Sequence, residues 1–397
     1  MDLTKYKNCR AHKQWIFISN NNKPYRPCCW FRSDITAESY EEYHDKLSKL
    51  DIEKNCEYCI KMEEQDGGDW SPRTLFESQT DNDTFVITAS IDNVCNLKCI
   101  TCNPVNSTQI AAELEPKNKF EESIKKQYLQ ITNKSFAKVD FIKQSLLANK
   151  LDNVRLEFLG GEPLLNPKVF ELLDWLAIQP NAKDRINIAI TSNGAVFSNK
   201  LPSYLGKFRY LGVQFSIDGT GKRFEHLRFN SVEDNMNLNI DNYYSMGVPI
   251  SFNFTISWMN MLNFSDTYNW MQTKYSKLNT ILITKLEQPT GYSVEVLPKK
   301  LRQDIFESEL NRFNKPINNV FEKAIDVYKQ HVTTGGTDDF NMPILIKGVT
   351  DLFELDIKRQ ADHYSIFKQE YDLLLQYMSP EQNELLTATI LKYRNVL

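Results

Sequence analysis

Long apolar runs are what this 397-residue chain most obviously lacks. No stretch approaches the ~20 residues that a membrane span requires, and Met1-Asp2-Leu3-Thr4-Lys5-Tyr6 does not read as the opening of a signal peptide. A cytoplasmic protein is therefore expected, where thiols stay reduced and clustered cysteines act as metal ligands or catalytic groups rather than disulfides. An excess of charge is missing too. The net charge of −4 argues against broad, non-specific nucleic-acid binding, which works by neutralising many phosphates, although it leaves room for a local basic patch. No internal repeat or low-complexity tract occurs, and the Asn-rich loops are only a bias of composition. A hydrophobic content of 41% and a charged content of 25% describe an ordinary globular chain, long enough for two or three domains.

Cysteine is absent from everything after residue 102. The eight cysteines fall into two sets, Cys9, Cys28, Cys29, Cys56 and Cys59, then Cys95, Cys99 and Cys102. Cysteines placed only for packing would scatter along the whole chain, so this confinement points to two metal centres. The second set has the spacing C-x3-C-x2-C and follows the apolar, β-branched run 85–91, which reads as a buried strand. A loop at the C-terminal end of a strand is where parallel α/β folds place their chemistry. Three thiolates can hold three irons of a [4Fe–4S] cube and leave the fourth open, whereas a closed electron-transfer cluster takes four. By itself the triplet also admits a zinc site with a fourth ligand from elsewhere, or three unrelated thiols.

Residues 1–80 read as a small module with little core of its own. Trp15 to Ser19 and Tyr25 to Cys29 are two strands around a turn at 20–24. Tyr40, Tyr43, Leu47 and Leu50 recur at helical spacing and lead to Cys56-Glu57-Tyr58-Cys59, a C-x2-C pair that can put two sulfurs on one metal. With Cys9 and one of Cys28 or Cys29 this makes a set of four, and a metal is the kind of staple that a module poor in apolar mass needs. Neighbours on a strand face opposite ways, which favours Cys28. A structural four-cysteine zinc site, or no metal, are the alternatives. The turn-rich stretch from Asp66 to Arg73 reads as the linker onward.

Residues 81–290 alternate strand and helix. Runs at 85–91, 154–159, 186–191, 213–217, 249–256 and 280–284 are expected strands, with helical spacing at Phe120, Ile124, Tyr128 and Ile131 and again over 170–176. Repeated βα units favour a parallel sheet with right-handed crossovers. Six of them predict an α/β fold built on a partial (β/α)6 TIM-type barrel. The cysteine loop, Gly160-Gly161-Glu162-Pro163, Asn193-Gly194 and Ser216/Asp218 would then share one mouth. From 291 to 397 the pattern is a helical extension, periodic over 301–332 and 350–377, broken at Gly335-Gly336, with Ser379-Pro380 opening a last helix.

With the triplet, the Gly-Gly-Glu-Pro turn one βα unit later, the Ser216-Ile217-Asp218-Gly219 strand end and the five other cysteines, residues 1–290 resemble the radical S-adenosylmethionine (SAM) superfamily. The likeness is to the subgroup with an auxiliary iron–sulfur module of the SPASM or twitch kind, here N-terminal. The resemblance implies that Cys95, Cys99 and Cys102 each ligate one iron and that SAM chelates the fourth. It implies that Gly160, Gly161 and Glu162 bind the methionine ammonium, that Ser216 and Asp218 lie near ribose and carboxylate, and that Arg228 pairs the carboxylate unless it forms a surface salt bridge. Asn193 and Thr255 are further candidates, or strand-end caps. Thr101 stands where many members of the family carry an aromatic residue against adenine. His226 is a candidate acid or base, or a structural histidine.

The implied reaction is reductive cleavage of SAM to methionine and a 5′-deoxyadenosyl radical that takes hydrogen from a peptide or small metabolite, as an oxidoreductase or maturase would. Cys9, Cys28, Cys56 and Cys59 would hold a second, auxiliary [4Fe–4S] cluster, and a flavodoxin or ferredoxin would supply the electron. The alternatives are modification of a nucleotide or tRNA base, and a non-catalytic iron–sulfur or zinc protein on the same scaffold.

Overall fold

The computed structural model describes residue 6 and residues 8–21, 24–65, 71–150 and 152–394. Among the described residues eight strands form one mixed sheet: β1 (Trp15–Ile18), β2 (Tyr25–Arg26), β3 (Phe85–Ser90), β4 (Val154–Leu159), β5 (Ile186–Ser192), β6 (Tyr210–Ser216), β7 (Ile250–Ile256) and β8 (Ile281–Lys285). Their spatial order is β2-β1-β3-β4-β5-β6-β7-β8. Every neighbouring pair is parallel except β1 with β2. The six strands expected from the alternating pattern thus stand side by side in chain order.

The N-terminal strands were legible as a hairpin but not in their attachment. β1 runs parallel to β3, with Ile16 opposite Ile87 and Ile18 opposite Ala89. The second strand is also shorter than its sequence suggests. It ends at Arg26 because Pro27 has no N–H to give a ladder and the Arg26 guanidinium donates to the Cys29 carbonyl at 3.2 Å. Cys28 and Cys29 therefore sit in a turn, and strand alternation does not decide between them.

Two other expectations change. Of the linker, residues 66–70 lie outside the described residues, but Pro72 and Arg73 open the helix Pro72–Gln79 instead of a turn, because Ser71 caps it by accepting from Thr74 N–H at 3.2 Å. The periodic stretch 301–332 is two helices, Lys299–Leu310 and Asn319–Thr333, the second capped by Asn318. The break at 335–336 stands between Asn319–Thr333 and Met342–Arg359, both glycines having positive φ. Ser379 and Gln382 cap the last helix, Pro380–Arg394, reciprocally. In the turn at 20–24, Asn22 and Lys23 lie outside the described residues.

The two faces of the sheet differ. Leu156, Phe158, Ile188, Ile190, Val213, Phe215, Phe252 and Phe254 are fully buried in the main core, beneath helices that include Ser135–Ala148 and Pro167–Ala177. The alternate residues Arg155, Glu157, Asn187, Thr191, Gln214, Asn253, Thr255 and Thr284 are half-buried and polar. Parallel sheets are ordinarily apolar on both faces, so one face of this sheet is built for something other than packing. The helix expected from the spacing of Phe120, Ile124, Tyr128 and Ile131 is Lys119–Leu129, none of whose residues is buried; Ile131 lies beyond it, buried in the turn 131–134.

Ile188, fully buried on the central β5, tests the core. Ile188→Ala should cost about 2–5 kcal/mol, read as a lowered urea midpoint with an unchanged slope.

Candidate functional site

The cysteine loop leaves the end of β3 and is pinned on several sides. Glu162 N–H donates to the Val94 carbonyl at 2.7 Å, and Gly161 N–H donates to that of Asn106 at 3.1 Å. Both glycines of this turn have positive φ, +70° at Gly160 and +48° at Gly161. A Cβ on Gly161 would run into the Val94 carbonyl oxygen, and one on Gly160 into the Ser90 side chain. On the other side Lys98 and Ile100 N–H donate to the carbonyls of Phe229 and Leu227, both at 2.9 Å. Ser107 Oγ donates to the Leu97 carbonyl at 2.8 Å while capping the helix Thr108–Glu113. The loop is held mainly through its backbone, which leaves its thiols free for other work.

The residues singled out in sequence converge on this loop to different degrees. Glu162 is buried, and its carboxylate accepts from Asn193 N–H at 2.7 Å and Leu164 N–H at 3.1 Å. Burial nevertheless dominates and pushes its pKa up to about 7, against those two hydrogen bonds. Asn193 Nδ2 donates to Asn96 Oδ1 at 2.8 Å and lies 3.8 Å from Cys95 Sγ. Arg228 makes no surface salt bridge. It is buried, paired with Asp218 at 2.8 Å, and its Nη1 lies 3.9 Å from Cys99 Sγ. Asp218 also accepts from Thr255 N–H at 3.1 Å, so the Thr255 backbone, not its hydroxyl, reaches the site; that hydroxyl meets Thr284 Oγ1 at 3.4 Å. Ser216 is buried at the end of β6, in register with Asn253. His226 belongs elsewhere. It faces Asp356 at 3.8 Å beside His363, and burial lowers its pKa to about 4.

All eight cysteines are free thiols. Burial pushes Cys95 up to about 11 and Cys99 to about 12, and raises Cys102 as well. As thiolates they would need a cation, which Arg228 supplies in part. Cys95 Sγ already accepts from Leu97 N–H at 3.5 Å, an arrangement that suits a sulfur carrying negative charge. Among the described residues no three His, Cys, Asp or Glu side chains close around a single ion. A four-iron cube asks for something wider, one sulfur on each of three irons, and Cys95, Cys99 and Cys102 offer three sulfurs on one loop. A pocket of about 290 Å³ opens against Cys99 and Cys102, walled by Ile110, Leu114, Tyr292, Leu355 and Arg359. A larger hollow of about 780 Å³ between Lys299–Leu310 and Lys368–Tyr377 has no cysteine or histidine in its lining.

Cys9, Cys28, Cys56 and Cys59 line one small cavity together with His12, whose Nε2 is 3.6 Å from Cys56 Sγ. Cys56 caps Ile52–Asn55 and Cys59 lies in the first turn of Glu57–Gln65. Burial raises all four thiols, Cys9 to about 11 and Cys56 to about 12. Arg73, the cation at this cavity, is already shared by Glu63 and Glu77. Four sulfurs with so little positive charge to spare fit a metal group. Cys29 does not line the cavity; its charged neighbours include Arg26 and Glu157.

Sequence reasoning missed the contribution of the C-terminal helix Met342–Arg359. Arg359 Nη1 donates to the Lys98 carbonyl at 3.0 Å, its Nη2 pairs with Glu113 at 2.7 Å, and its guanidinium lies over Phe229. Gly348 in that helix closes on Gly291 so tightly that neither position has room for a Cβ. A glycine inside a strongly helical stretch was the one available signal, since it costs about 1 kcal/mol there unless a close approach needs it.

Gly161→Ala and Gly206→Ala both place alanine at positive φ, but only at 161 is there an atom to strike, Gly206 having open space around it. The alanine at 161 should cost about 1–3 kcal/mol more than that at 206 in urea unfolding. Glu162 gives a pH signature in the apo-protein. A carboxyl whose folded pKa is raised binds its proton more tightly folded than unfolded, so its contribution to stability is present below about pH 4.5 and is lost as pH rises through about 7. Glu162→Gln should remove that part of the slope.

No family model matches the chain, and no curated protein does. Among solved structures, "Native anSMEcpe with bound AdoMet" aligns over 68% of this chain and 66% of its own, at 15% identity and a TM-score of 0.41. Streptococcus suis SuiB bound to precursor peptide SuiA aligns over 75% and 59%, at 13% identity and 0.37. TYW1 with a lysine-pyruvate adduct bound aligns over 57% and 74%, at 18% identity and 0.32. The chain spans just under two thirds of the length of the first and less of the second. Likenesses this distant carry no functional weight, and the reading of the site rests on its residues.

Proposed function

We propose that this chain is a radical SAM enzyme acting on a peptide or small metabolite. The observation that carries the reading is the set of three thiols on one loop, set against a buried guanidinium–carboxylate pair and a buried Glu162 from neighbouring strand ends. In this reading Cys95, Cys99 and Cys102 hold a [4Fe–4S] cluster, and residues 81–290 are the catalytic, partial-barrel domain. Such a cluster would supply the electron for reductive cleavage of SAM and, through it, for abstraction of a hydrogen atom from substrate. Glu162 accepts the methionine ammonium, for which ionisation of its carboxyl is required. Arg228 offers its guanidinium to the methionine carboxylate while Asp218 holds it in place. Ser216 and Asn193 lie at the adjoining strand ends as polar contacts for the remainder of SAM. Tyr292, Leu355 and Arg359 wall the pocket that opens on Cys99 and Cys102.

The N-terminal segment 1–80, in the same reading, is an auxiliary module whose Cys9, Cys28, Cys56 and Cys59 hold a second [4Fe–4S] cluster. Residues 291–397 are a helical extension that completes the wall of the pocket. The polar face of the sheet favours a peptide over a polynucleotide. Its Arg155 and Glu157 are paired at 3.0 Å, and the other half-buried polar residues from β5 to β7 are neutral amides and hydroxyls. Such side chains suit peptide groups better than phosphates. A flavodoxin or ferredoxin would serve as reductant.

After anaerobic reconstitution, dithionite and SAM should yield 5′-deoxyadenosine, and Cys95→Ala, Cys99→Ala or Cys102→Ala should each abolish it. Zinc in place of iron, with no SAM cleavage by the wild type, would sink the reading. Roughly eight irons per chain are expected if both cubes form, falling by about half in Cys56→Ala/Cys59→Ala.

A further inference from the structure

Behind the cysteine loop lies a buried ammonium that the chemistry above does not use. Lys138, on the helix Ser135–Ala148, is 1% exposed. Its Nζ donates to the Ser90 carbonyl at 2.7 Å, at the end of β3, and to Asn20 Oδ1 at 2.9 Å, just beyond β1. Asn20 spends its other polar atom on the same region, donating through Nδ2 to the Asp92 carbonyl at 3.0 Å and to Asn106 Oδ1 at 3.3 Å. Asp92 accepts from Val94 N–H at 3.0 Å and from Asn166 Nδ2 at 2.7 Å. Asn106 in turn supplies the carbonyl that receives Gly161 N–H. Three distant parts of the chain thus meet around the two ends of the loop that carries Cys95, Cys99 and Cys102.

Packing does not require a lysine here. Lysine is almost never fully buried unless it is paired, and a methionine of similar length would fill the space without the loss of hydration. Burial lowers the pKa of Lys138 to about 7, opposed by Asp92 and reinforced by Lys134. A group kept at such a cost earns its place through what its bonds hold. Those bonds end on Ser90 and, through Asn20, on Asp92 and Asn106, which bracket the loop.

We infer that Lys138 and Asn20 are positioning residues for the cysteine loop, pinning its two ends so that the three thiols and the Gly160-Gly161-Glu162 turn stand in fixed relation. Asn20 comes from the N-terminal segment, so that segment takes a direct part in shaping the loop, apart from any metal it holds. The inference rests on the proposed function for its consequence in SAM binding, but not for its consequence in the apo-protein.

Hydrogen exchange of the apo-protein tests the second point. In Asn20→Ala, and in Lys138→Met, amides of residues 92–106 should exchange about 10-fold faster or more while those of β6 stay at the wild-type rate. In the reconstituted enzyme the KM for SAM should rise about 10–100-fold, more than kcat falls, and the SAM-induced change in the EPR signal of the reduced cluster should weaken. Asn20→Asp keeps the acceptor for Lys138 but loses both donations, and should fall between Asn20→Ala and wild type. If Lys138→Met does not fold, Lys138→Gln, whose shorter side chain does not span both acceptors, takes its place. Exchange at 92–106 within about twofold of wild type in Asn20→Ala and in the lysine variant that folds would overturn the inference. A wild type that fails to cleave SAM would overturn the proposed function instead, with the exchange result still deciding this one.

Discussion

The hydrogen bond from Glu162 N–H to the Val94 carbonyl, 2.7 Å long, joins the loop after β3 to the turn after β4. Most of the site depends on that closeness, and it is possible only because residue 161 has no Cβ. Once the turn is in place, Glu162 is almost wholly buried. It meets the Asn193 and Leu164 amides, which ties the end of β5 to the same point. Three successive strand ends are thereby locked in order, the first two by a backbone hydrogen bond and the third by the buried Glu162 carboxylate.

Charge within this lock is balanced in pairs. Arg228 and Asp218 are both buried, and an ion pair removed from water is tolerated only where its remaining valences are met. Asp218 meets part of its own with Thr255 N–H. Arg228 keeps one nitrogen toward Cys99 Sγ, so the guanidinium that balances the carboxylate also places positive charge beside that sulfur. Burial works against that charge and prevails, pushing Cys99 up to about 12, so the neutral thiol is favoured.

Both ends of the chain are drawn into this centre. Arg359, near the end of a C-terminal helix, holds the Lys98 carbonyl and Glu113. Asn20, near the start, holds Asp92 and Asn106. The strand before Asn20 is a ladder partner of β3 itself, which puts the cavity of Cys9, Cys28, Cys56 and Cys59 on the flank of the same sheet. Segments that look appended in sequence are therefore parts of one framework.

Strand positions in the central region were readable from runs of β-branched and aromatic residues, because each such run is buried on at least one face and must be apolar there. β4 was legible to the residue, and the others to within a few residues at either end. The Gly-Gly-Glu-Pro turn was legible for a related reason: positive φ and close neighbours admit little but glycine at 160 and 161. What spacing could not convey was partnership across distance. That β1 would pair with β3, that Arg228 would be buried against Asp218 rather than lie on the surface, and that Lys138 would reach Asn20 all depend on segments meeting in space. The choice of Cys28 over Cys29 for the N-terminal cavity was also made there, by a turn after Pro27 and not by strand alternation. Sequence alone determined which residue types were available and which short segments were strands, helices and turns, since these follow from local sterics and hydrophobic period. Only the tertiary structure decided which charges and thiols face one another, because burial and pairing are properties of the assembled sheet and not of any stretch within it.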